Sequence, residues 1–114
     1  MVWQRARSFA VAVHEATRSI NGADAPGLRT QIRKAALSIS ATIAEGAGRD
    51  TRKDFARFLS MANGSANEIE QHLVQADDLA VMDGNATQRL IGQVTEIRRM
   101  LYGLRRALLE AGDR

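Results

Sequence analysis

Apolar residues recur at alternating three- and four-residue steps through most of this chain, which is the spacing of one face of an α-helix. Three clusters of glycine with short polar residues interrupt the pattern, and such residues favour turns. The sequence therefore predicts four helices, over about residues 2–21, 26–45, 51–80 and 86–111. Because the loops between them are short, the expected fold class is all-α, an antiparallel up-down-up-down four-helix bundle.

The apolar stripes define the expected core. The first helix carries two overlapping stripes, Val2, Ala6, Phe9, Val13, Ala16 and Ile20 beside Trp3, Ala10 and Thr17. The second helix has Leu28, Ile32, Ala35, Ile39 and Ile43. The third has Phe55, Leu59, Ala62, Ala66, Ile69, Leu73, Ala76 and Ala80. The fourth has Leu90, Val94, Ile97, Leu101, Leu104 and Leu108.

Local signals predict where these helices begin and end. Gly22 is expected to close the first helix in the left-handed conformation, and Pro26 to lie in the first turn of the second. Residues 46–48 are expected to stop the second helix, and Thr51 with Asp54 approximates a capping box for the third. Three glycines inside helices are expected at close helix–helix contacts: Gly64, Gly92 and Gly103.

Length and composition exclude several classes of protein. A chain of 114 residues suits one domain, over residues 1–114. The chain has no cysteine, which excludes disulfides, thiolate metal sites and a cysteine nucleophile. No apolar run is long enough for a membrane span, and no targeting signal is evident, so a cytoplasmic location without membrane partners is expected.

Residues that could support catalysis or metal binding are few. Glu68 and His72 form a single carboxylate–histidine pair, and His14 stands alone, so no metal or other cofactor is expected. The serines lie in alanine- and glycine-rich helices, where hydroxyl groups serve close packing. Glu45 lies at a helix C-terminus and is expected to pair with Arg49 or with an arginine of another helix. We therefore expect no enzymatic activity.

Charge is strongly segregated along the chain. Residues 1–57 carry ten basic and five acidic side chains, residues 58–88 carry five acidic and no basic ones, and residues 89–114 carry six basic and three acidic ones. Arginine binds phosphate through a planar fork, so arginine clusters favour RNA or DNA binding independent of sequence. The candidate nucleic-acid-binding residues are Arg29, Arg33, Lys34, Arg49, Arg52 and Lys53.

Two alternatives stay open beside nucleic-acid binding. In the first, the basic side chains form a solvated face with ion pairs to the acidic segment. The sequence also shows no aromatic-rich surface on which single-stranded bases could stack. Four arginines of the fourth helix also form a basic group: Arg98, Arg99, Arg105 and Arg106. Apolar residues exceed one stripe in the first and fourth helices, which favours self-association or a role as a protein–protein adaptor or scaffold.

Several motifs together resemble one known family. They are Val2-Trp3-Gln4-Arg5-Ala6, the stretch from Gln31-Ile32-Arg33 to Ile43-Ala44-Glu45-Gly46, Phe55, Phe58-Leu59, Ala62-x-Gly64-Ser65, Glu68 and Met100-Leu101-x-Gly103-Leu104. The chain resembles the four-helix bundle proteins of the 23S rRNA intervening-sequence family over nearly its whole length. Thr42 stands where that family leads us to expect Asn, and Ala80-Val81 where we expect Gly-Tyr.

The resemblance implies a bacterial four-helix bundle that assembles with itself as a ring, a homopentamer. Accessory proteins of diversity-generating retroelements look similar and use a basic pentameric barrel to engage nucleic acid. The family carries no established activity. The resulting prediction is a non-catalytic homo-oligomer that binds structured RNA or other nucleic acid through arginine-rich surfaces.

Overall fold

The predicted helices are present in a computed structural model of the chain, which describes residues 1–21, 23 and 25–111. The four helices are α1 (Val2–Ala16), α2 (Leu28–Ala47), α3 (Arg52–Asp78) and α4 (Gly84–Glu110). A 3₁₀ turn, Thr17–Ser19, follows α1. The described residues contain no strand, and the all-α prediction is confirmed.

The helices form an up-down-up-down bundle measuring 49 × 20 × 18 Å. Each helix packs against the next along the chain, and α1 packs against α4. Within the described ranges no Cα atoms of the diagonal pairs, α1 with α3 and α2 with α4, lie within 8 Å of each other. We call the end with the α1–α2 and α3–α4 loops the upper end, and the end with the α2–α3 loop the lower end.

The predicted stripes form the core. All five stripe residues of α2 are buried, as are six of the eight predicted for α3. Of the two stripes on α1, the one through Val2, Ala6, Phe9 and Val13 is buried, whereas Trp3 stays partly exposed. In α4 the side chains of Leu104 and Leu108 are only partly buried. With 15 residues, α1 is about 22 Å long, against about 40 Å for the 27 residues of α4, so α1 cannot cover the whole of α4.

Two helix boundaries near the upper end differ from the prediction. α1 ends at Ala16 rather than near residue 21, because the Thr17 hydroxyl donates to the carbonyl of Val13 (2.8 Å) and the chain tightens into the 3₁₀ turn. The predicted cap, Gly22, lies outside the described residues. Pro26 precedes α2 instead of lying in its first turn, because Gly27 takes the N-cap position with a left-handed φ of 79°.

The glycine predictions are confirmed at the end of α2 and wrong inside α3 and α4. α2 ends at Ala47 with Gly48 as its C-cap, so the predicted stop at residues 46–48 is confirmed. Gly46 itself lies inside the helix and is buried against α3, where a Cβ atom would come within 2.5 Å of the Cβ of Phe58. By contrast, Gly64, Gly92 and Gly103 are exposed, and no atom of another described helix lies within 4 Å of where their Cβ would be. The close helix–helix contact is therefore at Gly46, and the other glycines make none within the chain.

The chain leaves α3 through a left-handed residue, Ala80, whose φ is 56°. The amide of Ala80 donates to the carbonyl of Asp77 (3.0 Å), and the amide of Val81 donates to that of Ala76 (3.2 Å). This pair of hydrogen bonds is the Schellman motif, which normally places glycine at the left-handed position. The alanine found where the family pattern led us to expect glycine is therefore strained.

Candidate nucleic-acid interface

The six predicted binding residues lie in two groups at opposite ends of α2. Arg29, Arg33 and Lys34 are in its first two turns at the upper end, and Arg49, Arg52 and Lys53 follow its last turn at the lower end. The 16 residues from Arg33 to Arg49 correspond to about 24 Å along the helix axis. The two groups are separate surfaces.

At the upper end Arg29 and Arg33 hold the end of α1. Arg33 donates from Nε to the hydroxyl of Thr17 (2.8 Å) and from Nη2 to the carbonyl of His14 (2.9 Å). Arg29 donates to the carbonyls of Thr17 (3.2 Å) and Ile20. A cation at a helix C-terminus also interacts favourably with the negative end of the helix dipole. These two arginines therefore cross-link α2 to α1, a role that the sequence analysis did not predict.

At the lower end one carboxylate organises two arginines. Asp54 accepts from Nε of Arg49 (2.8 Å) and from Nε of Arg57 (2.9 Å), and both guanidinium groups lie over the ring of Phe58. The hydrogen bond from Arg49, and then that from Arg57, lowers the pKa of Asp54 below its usual value. The same hydrogen bond raises the pKa of Arg49. The carboxylate thus stays ionised and fixes both cations.

The position of Asp54 is set by the start of α3. Thr51 caps the helix, and its hydroxyl accepts from the amide of Asp54 (3.0 Å), as the capping motif predicted. The expected pairing of Glu45 with Arg49 or another arginine is wrong for the described part of the chain, since Arg49 pairs with Asp54 and Glu45 has no ion pair.

A groove of about 1020 Å³ lies at the lower end of the bundle, and Arg49, Thr51 and Asp54 are among the residues that line it. We call it the basic groove and define it by its four cationic side chains, Arg49, Lys53, Arg57 and Arg105. Two carboxylates, Asp50 and Asp54, also line it. Lys53 is exposed and pairs with no carboxylate among the described residues. Arg52 is also exposed and has no ion pair there, but it does not line the groove. The groove therefore carries an excess of positive charge.

Arg105 was not among the predicted site residues, and it brings the fourth helix into the groove. Its Nε atom is buried and has no hydrogen-bond partner in the described structure. An antiparallel bundle places the end of α4 beside the start of α3, so the predicted topology already contained the signal. Sequence spacing alone could not show it, because Arg49 and Arg105 are 56 residues apart.

The side chains considered for metal binding or catalysis make ordinary helix contacts. His72 and Glu68 lie 3.5 Å apart on one helix face. The described residues contain no group of three His, Cys, Asp or Glu side chains that could hold a metal ion. Ser38 donates to the carbonyl of Ala35 (2.9 Å) within α2. None of the helices described is long and apolar enough to cross a membrane.

Comparisons with known proteins agree with this architecture. The family model for the 23S rRNA-intervening sequence protein matches residues 1–103. A solved structure of a protein of unknown function from the S23 ribosomal protein family of Bacteroides thetaiotaomicron VPI-5482 is similar, with a TM-score of 0.81 and 24% sequence identity. The match covers 91% of this chain and 97% of that one, and at this identity it shows the fold alone. No individually curated protein matches.

Proposed function

Because the chain belongs to the 23S rRNA-intervening sequence protein family, we propose that it is a non-catalytic protein that binds structured RNA through the basic groove. The observation that carries the proposal is the convergence of Arg49, Lys53, Arg57 and Arg105 on one surface. Neither the family description nor that of the solved structure names an activity.

The chemistry of the groove suits a phosphate backbone. Two of its guanidinium groups are held in place by Asp54 and Phe58, so binding a phosphate costs them little additional side-chain entropy. Lys53 and Arg105 have no carboxylate partner among the described residues and add positive charge that no ion pair offsets. Backbone recognition of this kind does not depend on base sequence. The upper arginines are less suitable, because the end of α1 already occupies several of their donors.

Fluorescence anisotropy with a labelled stem-loop RNA tests the proposal. We expect binding at 50 mM salt that weakens steadily up to 200 mM, since each phosphate contact releases a counterion. Neutralising the two unpaired groove cations together, Lys53→Gln with Arg105→Gln, is expected to weaken binding roughly 50-fold near 0.1 M salt. Absence of binding at low salt, or binding that does not respond to salt, would overturn the proposed function.

We further propose that the chain assembles with itself, in the pentameric ring that its resemblance implies. The supporting observation is an apolar groove of about 360 Å³ between α1 and α2, where Val11 and Leu37 are 64% and 62% exposed. Exposed apolar surface of this kind favours association. Light scattering at micromolar concentration is expected to return five times the chain mass, and a monomer mass would refute the ring.

The same apolar groove also favours the second candidate function, a protein–protein adaptor that does not bind nucleic acid. The two functions differ in what is recovered with the protein from a native lysate after nuclease treatment. A partner protein that survives the treatment supports the adaptor. Loss of every partner on nuclease treatment supports the RNA-binding role.

A further inference from the structure

A further pocket, distinct from the basic groove and the apolar groove, lies on the outer seam between α3 and α4, immediately above the basic groove. Its volume is about 400 Å³, and it is lined by Asn63 of α3 and by Thr95, Arg98, Arg99 and Tyr102 of α4. We call it the seam pocket. Asn63 follows Ser60 of the basic groove by one helical turn, and Tyr102 precedes Arg105 by one turn. The two cavities are therefore neighbours, about 5 Å apart along the bundle axis.

The ring of Tyr102 is the most unusual group in the pocket. The residue is 63% exposed. Aromatic residues make up only 4% of the sequence, so an exposed one is uncommon in this chain. Within the described structure its hydroxyl makes no hydrogen bond, so neither core packing nor a polar contact explains its position. An exposed aromatic face beside cationic side chains is the arrangement on which nucleobases stack.

Two polar atoms of the pocket residues have no partner in the described structure. The Oδ1 atom of Asn63 and the Nε atom of Arg98 are buried and have no hydrogen-bond partner in the described structure. Arg98 itself is held by Glu70, with 2.5 Å between Nη1 and Oε1. A side-chain amide can both donate and accept, as the edge of a nucleobase does. The pocket thus combines a stacking face with a side-chain amide whose oxygen has no partner within the described protein.

We propose that the seam pocket takes an unpaired base of an RNA whose phosphates lie in the basic groove. This inference rests on the proposed RNA-binding function and adds a substrate class to it, a stem that carries an unpaired nucleotide. Tyr102 stacks on the base, Asn63 binds its edge, and Arg99 at the rim faces the backbone. A fully paired RNA uses the basic groove alone.

The test compares two labelled RNAs of equal length, one a stem with an unpaired loop and one fully paired, against the full-length protein. Tyr102→Ala is expected to weaken binding of the loop RNA about 5- to 150-fold, because it removes the stacked ring. Binding of the paired RNA is expected to change less than about twofold. Tyr102→Phe, which keeps the ring, is expected to restore loop binding. Leu79→Ala, which truncates an exposed apolar side chain at the upper end and outside the cavities described, is the control.

A second readout follows the base itself. A 2-aminopurine placed in the loop is expected to lose fluorescence when it stacks on the wild-type protein or on Tyr102→Phe, and to keep it with Tyr102→Ala. If both RNAs bind and Tyr102→Ala affects them equally or not at all, the seam-pocket proposal is wrong and the basic groove stands. If neither RNA binds at low salt, the proposed function itself fails.

Discussion

The upper and lower ends of the bundle carry arginine clusters that look alike in sequence and differ in what they contact. At the upper end, Arg29 and Arg33 donate hydrogen bonds to carbonyl groups in the last turn of α1 and in or just after the 3₁₀ turn that follows it, and to the hydroxyl of Thr17. At the lower end, Arg49 and Arg57 share a single carboxylate and line the basic groove. A cluster of arginines therefore does not by itself identify a binding surface. The groups that accept hydrogen bonds from each guanidinium decide whether it holds the fold together or can bind a ligand.

The largest effect is expected at the upper end. Replacing Arg29 and Arg33 together with alanine removes hydrogen bonds from charged donors, so we expect the free energy of unfolding to fall by about 3 kcal/mol. RNA affinity, measured where the variant is still folded, is expected to stay within about twofold of wild type. Lys34→Ala is the control, because its exposed side chain pairs with no carboxylate in the described structure. Urea denaturation measures the stability, and a double variant as stable as this control would contradict the cross-linking role.

A smaller effect is expected where the lower end is assembled. Gly46→Ala places a Cβ atom within 2.5 Å of the Cβ of Phe58, and we expect it to destabilise the fold by about 2 kcal/mol. Gly64→Ala, the same change at an open position of α3, is expected to stabilise by up to about 1 kcal/mol. Thermal unfolding compares the two variants. Equal shifts would show that α2 and α3 do not approach closely at Gly46.

At the strained end of α3 a substitution is expected to stabilise the fold, whereas Gly46→Ala destabilises it. Ala80→Gly relieves the left-handed alanine, and we expect stabilisation by about 1 kcal/mol, because relief of strain exceeds the added entropy of the unfolded chain. Ala107→Gly, at an exposed position inside α4, is expected to destabilise by about as much. A melting temperature that falls with Ala80→Gly would contradict the observed turn.

The smallest effect concerns pH at the lower end. Because Arg49 and Arg57 lower the pKa of Asp54 in the folded state, its ionised form contributes stability above its unfolded pKa of about 4. That contribution is lost as the pH falls through the lower, folded-state pKa. Wild type is therefore expected to melt at a higher temperature than Asp54→Asn at pH 7, with the difference shrinking below about pH 4. A difference that persists unchanged at pH 2 would exclude this ion pair as its cause.

The sequence predicted the bundle well because its apolar period reports the core directly. The α2 stripe from Leu28 to Ile43 is buried throughout, and the Thr51 cap formed as expected. It predicted contacts between helices poorly. Nothing in the spacing of Arg33 shows that its guanidinium reaches Thr17, and nothing distinguishes Gly46, which packs against Phe58, from Gly64, which packs against nothing.

The candidate site shows the same limit. The arginines of α2 and α3 could be found from composition, but the inclusion of Arg105 depends on the antiparallel pairing of α3 with α4. Tyr102 was invisible to a search for aromatic-rich surfaces, because a single exposed ring carries no composition signal. The sequence already places Tyr102 between Arg98 and Arg105 on one helix face. Only the packing of α3 against α4 shows that it shares a pocket with Asn63.

The most direct test of the difference between the two ends is the salt dependence of RNA binding in two variants that lose the same charge. Lys53→Gln with Arg105→Gln removes two cations from the basic groove, and Lys34→Gln with Arg89→Gln removes two from the upper end. On a plot of log affinity against log salt concentration, we expect the slope of the groove variant to be smaller in magnitude than that of wild type by about 1.4 to 1.8. The upper-end variant is expected to keep the wild-type slope. Equal losses of slope in both variants would contradict the account, because binding would then follow net charge rather than the groove.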